Sequence, residues 1–141
     1  MSRIFLDTNF FIYLYEGQGP LAARARQLSR AFIARRDEIL TSVMSVGEVL
    51  VTPLRQSDFA LAHRYRQLFR SPGIVVLPFI EQAAEAFARI RIGGKVKPPD
   101  AIQLATAATA GCDLFLTNDD RLQGLTVPGN HFVTSLEKAP I

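Results

Sequence analysis

This chain predicts an α/β fold whose parallel sheet is covered by helices on both faces, and three observations carry that prediction. Short apolar runs of strand length, at residues 4–6, 39–41, 74–77 and 114–117, alternate with segments whose apolar residues recur at helical spacing. Those runs are almost continuously apolar, as strands buried on both faces are. Four acids far apart in the chain, Asp7, Glu48, Asp100 and Asp119, each sit where a strand run ends or a helical pattern begins. In an open parallel sheet such positions converge in the crevice beyond the strand ends.

Taken in order, residues 4–6 end at Asp7-Thr8-Asn9, after which Phe10, Phe11, Ile12, Leu14 and Tyr15 form a helix-length segment closed by Gly17. Leu21, Ala25, Leu28 and Phe32 share one face of a second helix running to about residue 34, and residues 39–41 return as a strand. Ser42 opens a helix to Leu50, and Pro53 interrupts its pattern. Ser57 is placed to cap the next helix, whose Phe59, Ala62, Tyr65 and Phe69 lie on one side until Ser71-Pro72-Gly73 breaks it. Residues 74–77 form the clearest strand. A helix from about 80 to 92 ends at Gly93-Gly94, and Pro98-Pro99 opens another with Ile102, Leu104, Ala105 and Ala108 on its apolar side. Residues 114–117 read as a buried strand, Asn118-Asp119-Asp120 as the cap of a turn around Arg121-Leu122, residues 131–134 as a last strand, and 137–141 as a frayed tail. Without an internal repeat or a low-complexity linker, residues 1–141 are expected to form one domain.

Hydrophobic residues make up 48% and charged residues 21% of 141 positions, which is globular and far from the composition of disordered chains. The one cysteine, Cys112, has no internal partner and falls at an apolar helix end, so a buried inert thiol and a reducing cytoplasm are expected. No apolar stretch reaches membrane-spanning length. The balance of 16 Lys plus Arg against 13 Asp plus Glu is mildly basic. If four of the acids face one site, the remaining surface is more basic than the net charge of +3 suggests, which suits a polyanionic partner. Three basic sets stand out, around Arg24 to Arg36, Arg64 to Arg70 and Arg89 to Lys97. Charge runs on helices usually only solvate. Arg91, Lys95 and Lys97 flank Gly93-Gly94 and lead to Asp100, so they form the expected nucleic-acid rim.

Each acid also has a local explanation. Asp7 suits a helix N-cap, Ser45-Val46-Gly47-Glu48 fits a capping box, Asp100 in a first turn complements the helix dipole, and Asp119 suits a turn. The set argues for more. Two carboxylates about 4 Å apart repel by roughly 4 kcal/mol at an effective dielectric of about 20, so gathering four requires a cation or protons. Oxygen donors of this kind select Mg²⁺ or Mn²⁺.

The ordered set Asp7-Thr8-Asn9, Glu48, Asp100 with its Ala-Ile-Gln-Leu-Ala-Thr-Ala helix, and Leu-Thr-Asn-Asp at 116–119 resembles the PIN domain, in particular the VapC-type toxin ribonucleases of toxin–antitoxin pairs. The resemblance covers essentially the whole chain. It implies a PIN-like three-layer α/β/α sandwich with a central, mainly parallel sheet. It also implies a Mg²⁺- or Mn²⁺-dependent endoribonuclease with Asp7, Glu48, Asp100 and Asp119 as the catalytic, metal-site acids and Thr8, Asn9 and Thr117 as polar support. Asp120 and Asp113 are the alternatives for the fourth acid. An RNA substrate, a small VapB-like antitoxin and a homodimer follow from the same likeness.

Other chemistries fit less well. A haloacid-dehalogenase phosphatase wants an acid where Asn9 stands, no phosphate-binding Gly-Lys-Ser/Thr loop is present, and His63 and His131 lack partners at zinc-ligand spacing. The competing class is a catalytically silent PIN-like module that binds RNA or protein without turnover.

Overall fold

The computed structural model describes residues 1–119, 121–122, 127 and 132–140. Five strands, β1 (Arg3–Leu6), β2 (Glu38–Ser42), β3 (Ile74–Leu77), β4 (Leu114–Leu116) and β5 (Phe132–Thr134), form one sheet in the order β3-β2-β1-β4-β5. Every pairing is parallel, with Phe5 opposite Leu40 on one side and Phe115 on the other. Six helices connect them: α1 (Thr8–Glu16), α2 (Pro20–Arg35), α3 (Val43–Arg55), α4 (Phe59–Phe69), α5 (Glu81–Ile92) and α6 (Pro98–Ala110).

The strands sort their side chains by alternation. Ile4 and Leu6 of β1 and Leu114 and Leu116 of β4 face a core built with Phe10, Phe11, Leu28, Phe32, Val49 and Tyr65 from α1 to α4. Phe5 and Phe115 face the opposite core with Ala101, Leu104 and Ala108 of α6, and their rings stack at 5.0 Å. The result is a three-layer α/β/α sandwich, as expected. The chain fills β1, β2 and β3 outward in one direction, then crosses to the other side of β1 for β4. The strand order therefore reverses between β1 and β4, and the crevice beyond their ends is the switch point where open sheets place ligands.

Several sequence expectations fail for identifiable reasons. Pro53 does not end its helix: α3 runs through it to Arg55, because a proline removes one amide hydrogen bond while its carbonyl is still taken by the Asp58 amide at 2.8 Å. Ser57 is not a cap. It takes a left-handed backbone between two helices, and Asp58 caps α4 by accepting the Leu61 amide at 3.1 Å. The Ser45–Glu48 capping box is absent as well, since Ser42 is the N-cap of α3 and accepts the Ser45 amide. Nor is the tail frayed. Arg24 holds the carbonyls of Leu136 and Ala139 at 2.9 and 3.0 Å, and both residues are buried in the α1–α4 core.

Cys112 is buried and its thiol is pushed up to about 12 by that burial, which makes it the inert packing residue expected. Among the described residues no helix is long and apolar enough to cross a membrane. His131, the expected start of the last strand, lies outside the described residues.

Candidate active site

The switch-point crevice has a volume of about 210 Å³ and brings together Asp7 from the end of β1, Glu48 from α3 and Asp100 from the first turn of α6, with Thr8, Asn9 and Gln103 beside them. Local chemistry explains each placement. Asp7 follows the last apolar residue of β1 and is extended, so its carboxylate projects from the strand end at the head of α1. Although Asp7 occupies the N-cap position, its side chain makes no capping hydrogen bond, and its Oδ1 is buried with no hydrogen-bond partner among the described residues. Burial raises the Asp7 carboxyl to about 6; Thr117 and the Phe10 amide oppose the rise, while Asp100 adds to it. A buried carboxylate oxygen without a hydrogen bond is costly in the ionised state.

Thr117 ties two acids together. It hydrogen-bonds the Asp7 carboxylate, and its hydroxyl oxygen accepts the Asp119 amide at 3.1 Å. Thr8 donates to Glu48 Oε1 at 2.7 Å. Asn9 lines the crevice beside Asp7.

Asp100 stands behind Pro98 and Pro99 in the first turn of α6, partly buried, and its carboxyl is raised by burial and then by the charge of Asp119, with Glu48 contributing in the same direction. Asp7, Glu48 and Asp119 each therefore interact repulsively with Asp100. Asp119 is set differently. Its Oδ2 lies 2.6 Å from the Arg121 guanidinium and its Oδ1 accepts the Arg121 amide at 3.0 Å, which holds its carboxyl below the usual range. The same guanidinium approaches Asp100 Oδ2 at 4.0 Å. Asp119 thus joins the cluster through Arg121 and through its field on Asp100, without lining the crevice.

The alternatives for the fourth acid separate. Asp113 lies at the start of β4, at the opposite end of the sheet, where it accepts the Arg3 amide at 2.8 Å, so it is no part of this site. Asp120 lies outside the described residues.

A divalent cation suits the kind of donor present: hard carboxylate oxygens, one of them buried and bare. As placed, no three of the described acids are close enough to hold a single ion, and Arg121 is the cation between Asp119 and Asp100. Of the expected nucleic-acid rim, Lys97 is near enough to lower both Asp100 and Asp119, Lys95 is exposed, and Arg91 is exposed but donates to the Val96 carbonyl.

Sequence reading missed Arg121, Gln103, Ser42 and Ser45. The signal for Arg121 was its place two residues after Asp119. Gln103 was passed over inside a helix read as small and apolar, although it falls one turn after Asp100 and so shares its face.

Comparison with known proteins agrees with this architecture. The family model described as "PIN domain" matches residues 4–126. Among curated proteins no sequence matches. A toxin–antitoxin complex from Klebsiella pneumoniae contains a chain that is 26% identical, with a TM-score of 0.69 over 90% of this chain and 94% of that one. VapBC2 from Rickettsia felis, bound to a promoter DNA fragment, aligns with a TM-score of 0.75 at 12% identity over 94% of this chain and 98% of that one. Mycobacterium tuberculosis VapC20, a sarcin-ricin loop cleaving toxin, aligns with a TM-score of 0.66 at 18% identity over 84% and 92%.

Proposed function

The chain belongs to the PIN domain family, and from that premise we propose that it is a metal-dependent endoribonuclease that hydrolyses RNA phosphodiester bonds as the toxin of a toxin–antitoxin pair. The observation that carries the reading is the Asp7 carboxylate, buried with a bare Oδ1 in the same crevice as Glu48 and Asp100. Asp7, Glu48, Asp100 and Asp119 would hold the ion, directly or through water. An Mg²⁺ or Mn²⁺ ion held there would supply Lewis-acid polarisation of a phosphate oxygen and activation of water. The chain supplies the rest. Thr8 and Thr117 fix Glu48 and Asp7 so that little reorganisation accompanies reaction. Asn9 offers a polar side chain at the crevice wall, and Arg91, Lys95 and Lys97 meet the phosphates of RNA as it crosses the rim. Single-stranded or looped RNA suits this reading, because its splayed, unstacked bases are reached without unpairing a duplex.

The structural relatives include toxin–antitoxin complexes, which supports an antitoxin of VapB type as partner. A homodimer working in the cytoplasm belongs to the same reading. A catalytically silent module is the second reading, favoured by one observation: Arg121 already neutralises Asp119 and reaches Asp100 without a metal.

Incubating purified protein with a mixed RNA pool separates the two. The nuclease reading expects cutting with Mg²⁺ that falls by at least roughly 100-fold with EDTA or in Asp100→Asn, beyond what outer ligand changes usually cost. Cutting that persists in a folded Asp100→Asn protein contradicts the site, and no cutting by the metal-loaded wild type favours the silent module.

A further inference from the structure

Gln103 is buried, 4% exposed, in a helix whose other buried residues include Ala101, Leu104 and Ala107. A buried amide costs free energy unless its polar atoms are bonded, and here both ends are. Ser42 donates its hydroxyl hydrogen to Gln103 Oε1; Gln103 Nε2 donates to Ser45 Oγ at 2.7 Å and to Thr8 Oγ1 at 3.2 Å. The direction of these bonds is set from outside the amide. Ser42 Oγ accepts the Ser45 amide at 3.3 Å as the cap of α3 and points its own hydrogen at Gln103 Oε1. Nε2 must then face the two hydroxyls. With its oxygen receiving an N–H, Thr8 has its one hydrogen left for Glu48 Oε1, which accepts it at 2.7 Å.

We infer that Gln103 is a positioning residue for the candidate cation site: it orients the Thr8 hydroxyl so that Thr8 donates to Glu48, and so aims the Glu48 carboxylate into the crevice. The relay runs in one direction, from the cap of α3 through α6 to α1 and back to α3, and ties together the helices that carry Glu48 and Asp100. Gln103 touches no acid, and none of its own atoms is needed as a ligand. Its contribution passes entirely through Thr8. Ser45 Oγ is 3.3 Å from Thr8 Oγ1 and takes the second Nε2 hydrogen, which stops the amide from turning.

This inference rests on the metal-site reading, and Mn²⁺ binding tests both while keeping them apart. Mn²⁺ is titrated into metal-free wild type, Gln103→Met, Thr8→Val and the double variant, with free Mn²⁺ read by electron paramagnetic resonance and folding checked by circular dichroism. Gln103→Met keeps the side-chain length and removes the amide. Expected is a loss of Mn²⁺ affinity of about 10-fold in each single variant, and a double variant no weaker than Thr8→Val alone, because a residue acting through Thr8 has nothing left to lose. A folded Gln103→Met that binds Mn²⁺ like the wild type overturns the inference, as do losses that multiply in the double variant. If Gln103→Met does not fold, Gln103→Asn, whose amide falls short of Thr8, takes its place under the same criteria. A wild type that binds no Mn²⁺ overturns the metal-site reading itself, and the inference with it.

Discussion

At the N-terminal end of the sheet, acids are placed and answered. Asp37 accepts the Ser2 amide at 2.9 Å and pairs with Arg35 at 2.8 Å, Glu38 stands 3.5 Å from Arg3, and Asp113 takes the Arg3 amide. At the C-terminal end, one strand length away, Asp7, Glu48 and Asp100 crowd one crevice, and Asp7 Oδ1 is buried with no hydrogen-bond partner among the described residues. Both ends use the same residue types. At the first end the negative charge closes the fold by holding chain starts and helix ends; at the second one carboxylate oxygen has no hydrogen bond among the described residues. An acid's role depends on what remains unbonded around it, and not on its position beside a strand.

Stability measurements would break this comparison most directly, because substitutions at the two ends have opposite expected signs. The Asp7 carboxyl is raised from 3.8 to about 6, so the native state holds its proton more tightly than the unfolded chain does. Its contribution is most favourable below about pH 4 and is lost as pH rises through 6, leaving a buried, partly unbonded charge worth up to about 3 kcal/mol against folding. Metal-free Asp7→Asn should therefore be more stable than wild type at pH 8, with the gain closing as pH falls from 6 to 4. Asp37→Asn should lose about 1–3 kcal/mol at pH 8, because it breaks a pair whose carboxylate is buried. Thermal unfolding in EDTA across this pH range checks both. A destabilised Asp7→Asn at pH 8 would mean that Asp7 is as well satisfied as Asp37.

A smaller effect sharpens the contrast in positive charge. Neutralising Arg91, Lys95 and Lys97 together should weaken RNA binding by about 10-fold at low salt and flatten its salt dependence, read by fluorescence anisotropy at several salt concentrations. Neutralising Arg35, which serves Asp37 at the other end, should leave that slope unchanged. The smallest shift is expected at Arg121. As a half-exposed counter-ion to Asp119 it competes weakly with a metal, so Arg121→Gln should raise Mn²⁺ affinity by about threefold, measured by calorimetry. Weaker binding instead would make Arg121 part of the architecture of the site.

Much of this was legible in the sequence because it is local. Runs such as Leu114-Phe115-Leu116 are apolar on both faces, and the polar residue that ends each one marks the sheet's edge, which places Asp7 beside Thr117, two residues before Asp119. Asp100 is announced by Pro98-Pro99 at the head of its helix. What was not legible depends on contacts between distant segments. Gln103 gains its meaning from Ser42, 61 residues away, and the tail is docked by Arg24, more than 100 residues before it. Propensity describes Ser45 as a cap and residues 137–141 as free, and tertiary packing overrides both. Asp113 and Asp119 flank one three-residue strand, and only the partners at each end separate a structural acid from a candidate ligand.

Mn²⁺ binding to the wild type, Asp7→Asn and Asp37→Asn at pH 8, where the Asp7 carboxyl is ionised in the folded protein, tests the cation site most directly. Expected are binding by the wild type, equal binding by Asp37→Asn and loss in Asp7→Asn. Binding that survives Asp7→Asn, or that depends equally on both acids, would contradict that site.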